Sequence, residues 1–371
     1  MSSHAVVKPY SGIVYIGSYG SVADTTIRVC SFNGETGELA IIQELSNSEN
    51  ASYLTVHPSG EQLYAVSETD LTDGKTGGSV ASFKIDKETG KLSVLNRQLT
   101  HGAHPCYIST DVEGKALFAA NYTGGNAALL PIAEDGSLEE ASAIVREEAS
   151  LGSRTDRQDA SHAHAIVPNG STPYVYVTDL GTDLINCYKV EGDEGLLYQG
   201  STKLHAGAGP RHLTFHPELP YAYAVNELDS TVTALKVSEK NGELTPIQTI
   251  NSLPADYTGA NDAADIHLAA SGKFLYSSNR GSDSIAVFAV NPSNGELTLI
   301  QNESCGGESP RNFNFTPDGQ HILVANQKSN SITLLSVDQE TGLILVQGKL
   351  LEVASPVCVC FSPNTAHGRN V

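Results

Sequence analysis

Residues 213–250 read LTFHPELPYAYAVNELDSTVTALKVSEKNGELTPIQTI and decide the fold. They contain four short apolar runs, at residues 213–215, 221–225, 231–237 and 244–250, and turn residues separate each run from the next. Runs of this length, rich in β-branched and aromatic residues and bounded by Pro, Gly, Asn and Asp, predict β-strands. We interpret the stretch as one unit of four antiparallel strands, labelled a to d along the chain.

The turn between strands c and d recurs along the chain as a Gly-x-apolar tripeptide that follows polar residues. There are seven copies, and successive glycines are 46 to 59 residues apart: Gly37, Gly90, Gly136, Gly195, Gly242, Gly295 and Gly342. A period near 50 residues is typical of propeller blades, and each glycine fits a hairpin turn that needs a positive φ. No segment of helical length has an apolar period of 3.6 residues, so we expect minimal helix.

The two ends of the chain complement each other. Residues 12–19 resemble a strand b with no strand a before it, whereas residues 356–361 resemble a strand a without a blade of its own. Their pairing would complete the first blade and close the ring, which leaves no blade edge open to aggregation. The sequence therefore predicts an all-β, seven-bladed β-propeller with four antiparallel strands per blade, as a single domain over residues 1–371. The long stretches 139–161 and 252–262 are predicted to be loops.

Charge and composition exclude several kinds of partner. The 371 residues include 22 Lys and Arg against 42 Asp and Glu, a net charge of −20. A surface this acidic repels phosphate backbones and anionic lipid headgroups, so we expect neither nucleic acid nor membrane as a partner. The N-terminus lacks the basic start and apolar stretch of a signal peptide, which predicts a cytoplasmic protein, and the scattered surface charge favours a monomer. Six cysteines without CxxC spacing predict buried reduced thiols.

The repeat separates structural residues from functional ones, because a residue shared by several blades serves the fold. His57 and His216 recur in equivalent turns and are assigned to turn hydrogen bonding. Strand a of a propeller lines the central channel, and its predicted first residues are Ser52, Pro105, His162, Arg211, Ala264, Arg311 and Val357. The predicted ends of the b strands, on the same face, are Tyr19, Glu68, Tyr122, Asp179, Glu227, Arg280 and Gln327. The two rings converge on one mouth of the channel.

Charged residues that differ from blade to blade mark this mouth as the candidate site. Arg211, Arg280 and Arg311 form a guanidinium cluster that suits a phosphate or carboxylate ligand, with ion pairs between blades as the alternative reading. His162 or His164 is a candidate general base, because imidazole titrates near neutral pH. Glu227 is another candidate for this role, and the alternative is that it forms a salt bridge to Arg211. A metal site built from the histidines is a further possibility, but the histidines lie on different blades, and this spacing argues against a metal site. We therefore expect neither a metal nor a cofactor.

Several longer motifs carry a resemblance to a known family. They are Arg157-Gln158, Ser161-His162-Ala163-His164, Gly207-Ala208-Gly209-Pro210-Arg211-His212, Val225-Asn226-Glu227, Asp265-Ile266-His267, Ser278-Asn279-Arg280-Gly281 and Ser309-Pro310-Arg311-Asn312-Phe313. Over essentially the whole chain, the sequence resembles bacterial 6-phosphogluconolactonases of the seven-bladed propeller type, which are related to fungal carboxy-cis,cis-muconate cyclases. The resemblance implies catalytic roles for His162, Arg211, Glu227 and Arg280.

The predicted reaction is hydrolysis of 6-phospho-D-glucono-1,5-lactone to 6-phosphogluconate, a step of the pentose phosphate pathway. Water attacks the lactone carbonyl with His162 or Glu227 as general base, Arg211 stabilises the oxyanion, Arg280 and Arg311 hold the phosphate, and Arg157 closes over the sugar. The predicted substrate-binding residues are Arg311, His164, Arg157, His104, His267 and Asp265. The alternatives are a lactonising isomerase, a lactonase for another sugar acid, and a propeller that binds an anion or a partner without catalysis.

Overall fold

The four-strand unit of the sequence repeats as seven antiparallel sheets. The computed structural model describes residues 9–362 except 47, 147, 171, 193 and 194. The innermost strand of each sheet contacts the innermost strands of its two neighbours, so the sheets form a closed ring. The described residues thus adopt the predicted seven-bladed β-propeller, and no helix occurs among them.

Each blade runs outwards from the central channel. Blade 1 consists of β30 (Pro356–Phe361), β1 (Ser11–Ser18), β2 (Ile27–Asn33) and β3 (Glu38–Leu45). Blade 2 consists of β4 (Leu54–Val56), β5 (Gln62–Ser67), β8 (Ser79–Ile85) and β9 (Leu92–Leu99), with a small hairpin, β6 (Leu71–Thr72) and β7 (Lys75–Thr76), inserted after β5. Blade 3 consists of β10 (Pro105–Thr110), β11 (Ala116–Asn121), β12 (Asn126–Pro131) and β13 (Ala143–Val145). Blade 4 consists of β14 (Ala163–Pro168), β15 (Tyr174–Asp179), β16 (Leu184–Glu191) and β17 (Gly195–Lys203).

The last three blades follow the same order. Blade 5 consists of β18 (Pro210–Phe215), β19 (Tyr221–Asn226), β20 (Thr231–Val237) and β21 (Leu244–Asn251). Blade 6 consists of β22 (Ala263–Leu268), β23 (Phe274–Asn279), β24 (Ser284–Val290) and β25 (Leu297–Ser304). Blade 7 consists of β26 (Pro310–Phe315), β27 (His321–Asn326), β28 (Ser331–Val337) and β29 (Ile344–Glu352).

The C-terminal strand closes the ring as the sequence predicts. Strand β30 pairs antiparallel with β1, and Tyr15 lies opposite Cys360. Cys358 packs into the apolar layer between blades 1 and 2. All six cysteines are free, and five of them are buried.

Tyrosines on strand b link neighbouring blades at the repeated glycine turns. In five blades, the buried tyrosine hydroxyl donates a hydrogen bond of 2.7 to 3.1 Å to the glycine carbonyl of the next blade; the pairs are Tyr15 with Gly90, Tyr64 with Gly136, Tyr176 with Gly242, Tyr223 with Gly295 and Tyr276 with Gly342. Apart from Gly195, the seven repeat glycines have the expected positive φ. In blade 4 the positive φ falls on Gly192, because Gly195 already pairs with Glu191 in the hairpin ladder.

The two predicted loops differ in outcome. Residues 252–262 connect blades 5 and 6 without a strand, as expected. Residues 139–161 are not wholly a loop, because β13 lies within them and pairs with β12 as the outer strand of blade 3. Within the described residues there is no helix of the length and apolarity that a membrane crossing requires.

Candidate active site

A bulge at the start of the innermost strands directs the site residues into the channel mouth. In blade 5, Pro210 pairs with Asn226 and His212 with Val225, so Arg211 between them has no partner in the ladder. The same shift frees Arg311 in blade 7 and His164 in blade 4. Because a bulge re-aims the extra residue, these side chains point differently from their neighbours on the strand.

The pairing registers correct the predicted ring of first residues in two blades. Cys106, not Pro105, holds the bulge position of blade 3, and His164, not His162, holds that of blade 4. The repeat suggests that Pro168, like Pro217, belongs to the turn after strand a, but Pro168 is the last residue of β14, so the start of this strand is shifted by two residues. Asp179 likewise pairs with Ala163 and so corresponds to Asn226, not to Glu227.

Glu227 is the centre of a buried ion-pair cluster. Its Oε1 atom lies 2.5 Å from Arg157 Nη2, and its Oε2 atom lies 3.0 Å from Arg211 Nε and 3.2 Å from Arg280 Nη2. The contact between Arg211 Nε and Glu227 Oε2 is an ion pair, and its angles are not those of a hydrogen bond. Burial alone would raise the pKa of Glu227, but Arg280, Arg211, His164 and Arg157 hold that pKa well below its usual range. Glu227 is therefore a carboxylate at neutral pH, shared by three guanidiniums.

Arg211 and Arg280 each keep a guanidinium donor that has no partner among the described residues. Arg211 Nη1 donates 2.5 Å to the Ala264 carbonyl and lies 3.1 Å from His212 Nε2, while no partner among the described residues reaches Nη2. Burial, with Arg280 and Arg311 nearby, lowers the pKa of Arg211 to about 10, so it stays charged at neutral pH. Arg280 Nη2 also donates 3.1 Å to the Ala263 carbonyl, and its buried Nε has no partner among the described residues. Unused guanidinium donors at the mouth suit an anionic or carbonyl ligand.

His162 and His164 both contact the Tyr122 ring. His162 stacks on Tyr122 with ring centroids 4.4 Å apart, and its Nε2 lies 3.0 Å from Asp159, an exposed carboxylate of the preceding loop. His162 Nδ1 lies 3.1 Å from the Tyr122 carbonyl. His164 is buried 3.8 Å from Glu227 and 3.6 Å from the Cys106 thiol. Burial and Arg211 lower the pKa of His164 well below its usual value, so His164 is neutral.

A second buried carboxylate lies deeper in the channel. Asp265 accepts hydrogen bonds from His212 Nδ1 at 2.7 Å, His267 Nε2 at 3.0 Å and Asn312 Nδ2 at 2.6 Å. Burial opposes its charge, but His267 and His212 lower its pKa below the usual range. Burial and Arg211 lower the pKa of His212 to about 4. Asp265 thus orients His212, the residue behind Arg211, and its own oxygens are occupied.

The other side of the mouth is formed by blades 1, 2 and 7. Arg311, Glu68, Ser52 and Tyr19 line a cavity together with Arg211 and Cys106. The Arg311 guanidinium lies 5.3 Å from the Tyr19 ring centroid, and no ion pair to it occurs among the described residues. Although burial opposes the charge, Tyr19, Glu68 and Glu227 raise the pKa of Arg311. Arg311 is therefore a charged guanidinium without a carboxylate bound to it.

Most, but not all, of the predicted residues meet at the mouth. His162, Arg211, Glu227, Arg280, His164 and Arg157 are joined by the contacts above, and Arg311 shares the cavity. His104 adopts φ 55°, donates its backbone N–H to the Thr69 carbonyl, and no contact joins its side chain to the cluster among the described residues. His267 touches the site through Asp265 and otherwise lines a groove at the opposite end of the channel.

Sequence reasoning missed several partners of the site. Asp262 pairs with Arg157 at 3.3 Å, Asp159 with His162, and Asn312 with Asp265. Asp159 and Asp262 lie in loops and Asn312 depends on the register of β26, so no spacing in the sequence points to them. Among the described residues, no group of three or more His, Cys, Asp and Glu side chains is arranged to hold a metal ion.

Fold and site together define a β-propeller with an arginine-rich channel mouth. Residues 13–361 match the family model described as "Lactonase, 7-bladed beta-propeller". The chain belongs to this family and is an enzyme of the lactonase class.

Similar proteins of known sequence and structure agree with this assignment. The chain is 35% identical over 353 residues to a Bacillus subtilis protein named 6-phosphogluconolactonase, covering 94% of this chain and 98% of that protein. It is 37% identical over 339 residues to a protein of the same name from Formosa agariphila, covering 89% and 93% of the two chains. A solved structure of the Pseudomonas aeruginosa periplasmic gluconolactonase superposes with a TM-score of 0.87 at 31% identity, covering 95% of this chain and 99% of that one.

Proposed function

We propose that this protein hydrolyses 6-phospho-D-glucono-1,5-lactone to 6-phosphogluconate. The observation that carries the proposal is an excess of guanidinium donors at the mouth: among the described residues, no hydrogen-bond or ion-pair partner reaches Arg211 Nη2, Arg280 Nε or the Arg311 guanidinium. A phosphorylated sugar lactone brings an anion that this excess attracts and a carbonyl that it polarises. The names of the Bacillus subtilis and Formosa agariphila relatives support the same substrate.

Of the two candidate bases, His162 fits the role better than Glu227. Both Glu227 oxygens are ion-paired and its pKa is held low, so it is a weak proton acceptor. Among the described residues, His162 Nε2 has one partner, the exposed Asp159, so a water that takes the place of Asp159 reaches that nitrogen. We therefore assign the attacking water to His162, and to Glu227 the positioning of three arginines.

The arginines divide the remaining work. Arg211 Nη2, which no partner among the described residues reaches, is assigned to the oxyanion that forms when water adds to the lactone carbonyl. Arg280 and Arg311 are assigned to binding the phosphate. Arg157 is assigned to closing the loop before blade 4 over the sugar, because Arg157 reaches from this loop to Glu227. His164, neutral and buried, fills the floor of the site. A cytoplasmic, monomeric protein that needs no cofactor remains the prediction from the sequence.

The direct test couples lactone hydrolysis to 6-phosphogluconate dehydrogenase. Purified protein receives freshly generated 6-phosphogluconolactone in the presence of EDTA, and spontaneous hydrolysis is subtracted. A rate above background that falls by at least tenfold in Arg311→Ala, with the loss in KM rather than kcat, is the expected result. Equal or faster turnover of unphosphorylated glucono-1,5-lactone would favour a lactonase for another sugar acid. Turnover of a carboxymuconate and not of lactones would favour the cyclase alternative.

A further inference from the structure

Glu68 lines the cavity beside Arg311, and one of its carboxylate oxygens has no hydrogen-bond donor among the described residues. Its Oε2 atom accepts hydrogen bonds from the Ser52 hydroxyl and, at 3.0 Å, from the Tyr19 hydroxyl. No donor among the described residues reaches Oε1. The side chain is half-buried and lines the cavity together with Arg311 and Arg211. Two neighbours therefore hold the carboxylate in one orientation while one of its oxygens stays available.

The other acidic groups of the channel differ from Glu68 in this respect. Glu227 has Arg157 on Oε1 and two arginines on Oε2. Asp265 Oδ1 accepts a hydrogen bond from His212, and Asp265 Oδ2 accepts hydrogen bonds from His267 and Asn312. Asp179 accepts Ser161 on Oδ2 and the His162 backbone N–H on Oδ1. Of these four carboxylates, Glu68 alone keeps an unoccupied oxygen.

We propose that Glu68 is a specificity-determining residue that accepts hydrogen bonds from hydroxyl groups of the substrate, so that the site selects a polyhydroxylated sugar lactone. An ionised carboxylate can only accept hydrogen bonds, so its partner must be a donor such as a hydroxyl. A phosphate or carboxylate at Oε1 would be repelled, which directs the anion to the arginines.

This proposal rests on the proposed function, since the hydroxyls belong to that substrate. It goes further in naming the group that separates sugar lactones from anionic lactones without hydroxyls. A site built to bind a hydroxyl discriminates strongly against an analogue that lacks it, because its polar group is then left unpaired.

Binding of two non-reacting probes tests the proposal independently of turnover. The probes are 6-phosphogluconate and 6-phosphohexanoate, which share the phosphate and the carboxylate and differ in the hydroxyls. Calorimetry is run on the wild-type protein, on Glu68→Gln, and on Glu88→Gln as a control at an exposed turn far from the mouth. In E68Q the amide oxygen can still accept from Ser52 and Tyr19, which turns the NH2 group, a donor, toward the cavity.

We expect E68Q to weaken 6-phosphogluconate binding by about 10- to 100-fold, the effect of losing a charged hydrogen bond. Binding of 6-phosphohexanoate stays within twofold, and E88Q changes neither. Equal weakening of both probes, or no weakening of either in a folded E68Q protein, would overturn the proposal. Folding is checked by comparing the melting temperatures of the three proteins. If the wild-type protein binds both probes with the expected preference yet hydrolyses no lactone, the proposed function fails and the hydroxyl site stands.

Discussion

Arg211 Nε lies 3.0 Å from Glu227 Oε2, and both side chains are almost completely buried. Arg157 and Arg280 converge on the same carboxylate from the loop before blade 4 and from blade 6. Glu227→Gln removes the carboxylate charge that the three guanidiniums share. Since removing one partner of a buried ion pair leaves the other charge uncompensated, we expect a loss of about 3–5 kcal/mol in the free energy of unfolding. Urea denaturation measures this loss.

The same variant separates catalysis from ligand binding. With Arg211 and Arg280 no longer held, we expect kcat to fall by about 100-fold, the usual effect of displacing an oxyanion donor. Binding of 6-phosphogluconate is retained, because the positive charge of the mouth increases. Wild-type kcat in a folded Glu227→Gln protein would remove Glu227 from the positioning role.

Arg157 differs from Arg211 and Arg280 in coming from a loop instead of a blade. Its side chain is about one-third exposed and bridges Glu227 and Asp262. We expect Arg157→Ala to lower kcat/KM by about tenfold, through the loss of one charged hydrogen bond, with little change in melting temperature. Arg154→Ala is the matched control, since Arg154 lies in the same loop and pairs with the exposed Asp156. Equal effects of the two substitutions would show that the loop itself, and not Arg157, matters.

Acid should destabilise the protein through the buried histidines before it acts on the carboxylates. Burial and Arg211 lower the pKa of His212 to about 4 and put that of His164 well below its usual value, whereas an unfolded histidine titrates near about 6.5. The unfolded state therefore binds more protons as the pH falls below about 6.5, and stability present above that pH is lost. We expect each histidine to cost about 2 kcal/mol at pH 5.

Unfolding free energies at pH 8 and pH 5 check this expectation, with His212→Asn as the comparison. Replacing His212 removes one titrating group, so the loss between the two pH values should shrink by about 2 kcal/mol. Glu227 and Asp265, whose pKa values are lowered, add a further loss only below their unfolded values of about 4. A pH dependence unchanged in His212→Asn would mean that His212 does not stay neutral in the folded protein.

The fold was predictable from the sequence because each blade repeats the same pattern of four strands and turns. The Gly-x-apolar turn marks every c–d hairpin, and the missing strand a at the N-terminus predicts the pairing of β30 with β1. Where a blade departs from the repeat, the prediction fails. The outer strand of blade 3, β13, begins at Ala143, well beyond Gly136, whereas the outer strands of the other blades begin at most two residues after the repeat glycine. The hairpin of β6 and β7 has no counterpart among the described residues of the other blades.

The candidate site was predictable only where a residue type stands out against its equivalents in other blades. Arg211, Glu227 and Arg280 do so, and they meet in space. Blade position alone does not reveal which oxygen of Glu68 is free or that Asp265 bonds His212, because these contacts depend on bulges and on side chains from other blades. The sequence predicts His162 at the position that His164 occupies in the structure. The difference arises because β14 extends to Pro168.

The tyrosine links between blades make a prediction about stability alone. Tyr223 is fully buried, and its hydroxyl is 3.1 Å from the Gly295 carbonyl of the next blade. Tyr223→Phe leaves that carbonyl without its donor, so we expect a loss of about 1–2 kcal/mol in the free energy of unfolding. Tyr221→Phe is the control, since its hydroxyl, 3.3 Å from the Ser293 carbonyl, lies at the surface where water replaces it. Denaturant titration measures the free energy of unfolding, and the lactonase assay measures kcat/KM. We expect Tyr223→Phe to lose stability at unchanged kcat/KM, and Tyr221→Phe to change the free energy of unfolding by only about a few tenths of a kcal/mol. Equal losses in the two variants would show that the hydrogen bond between blades is not what distinguishes Tyr223.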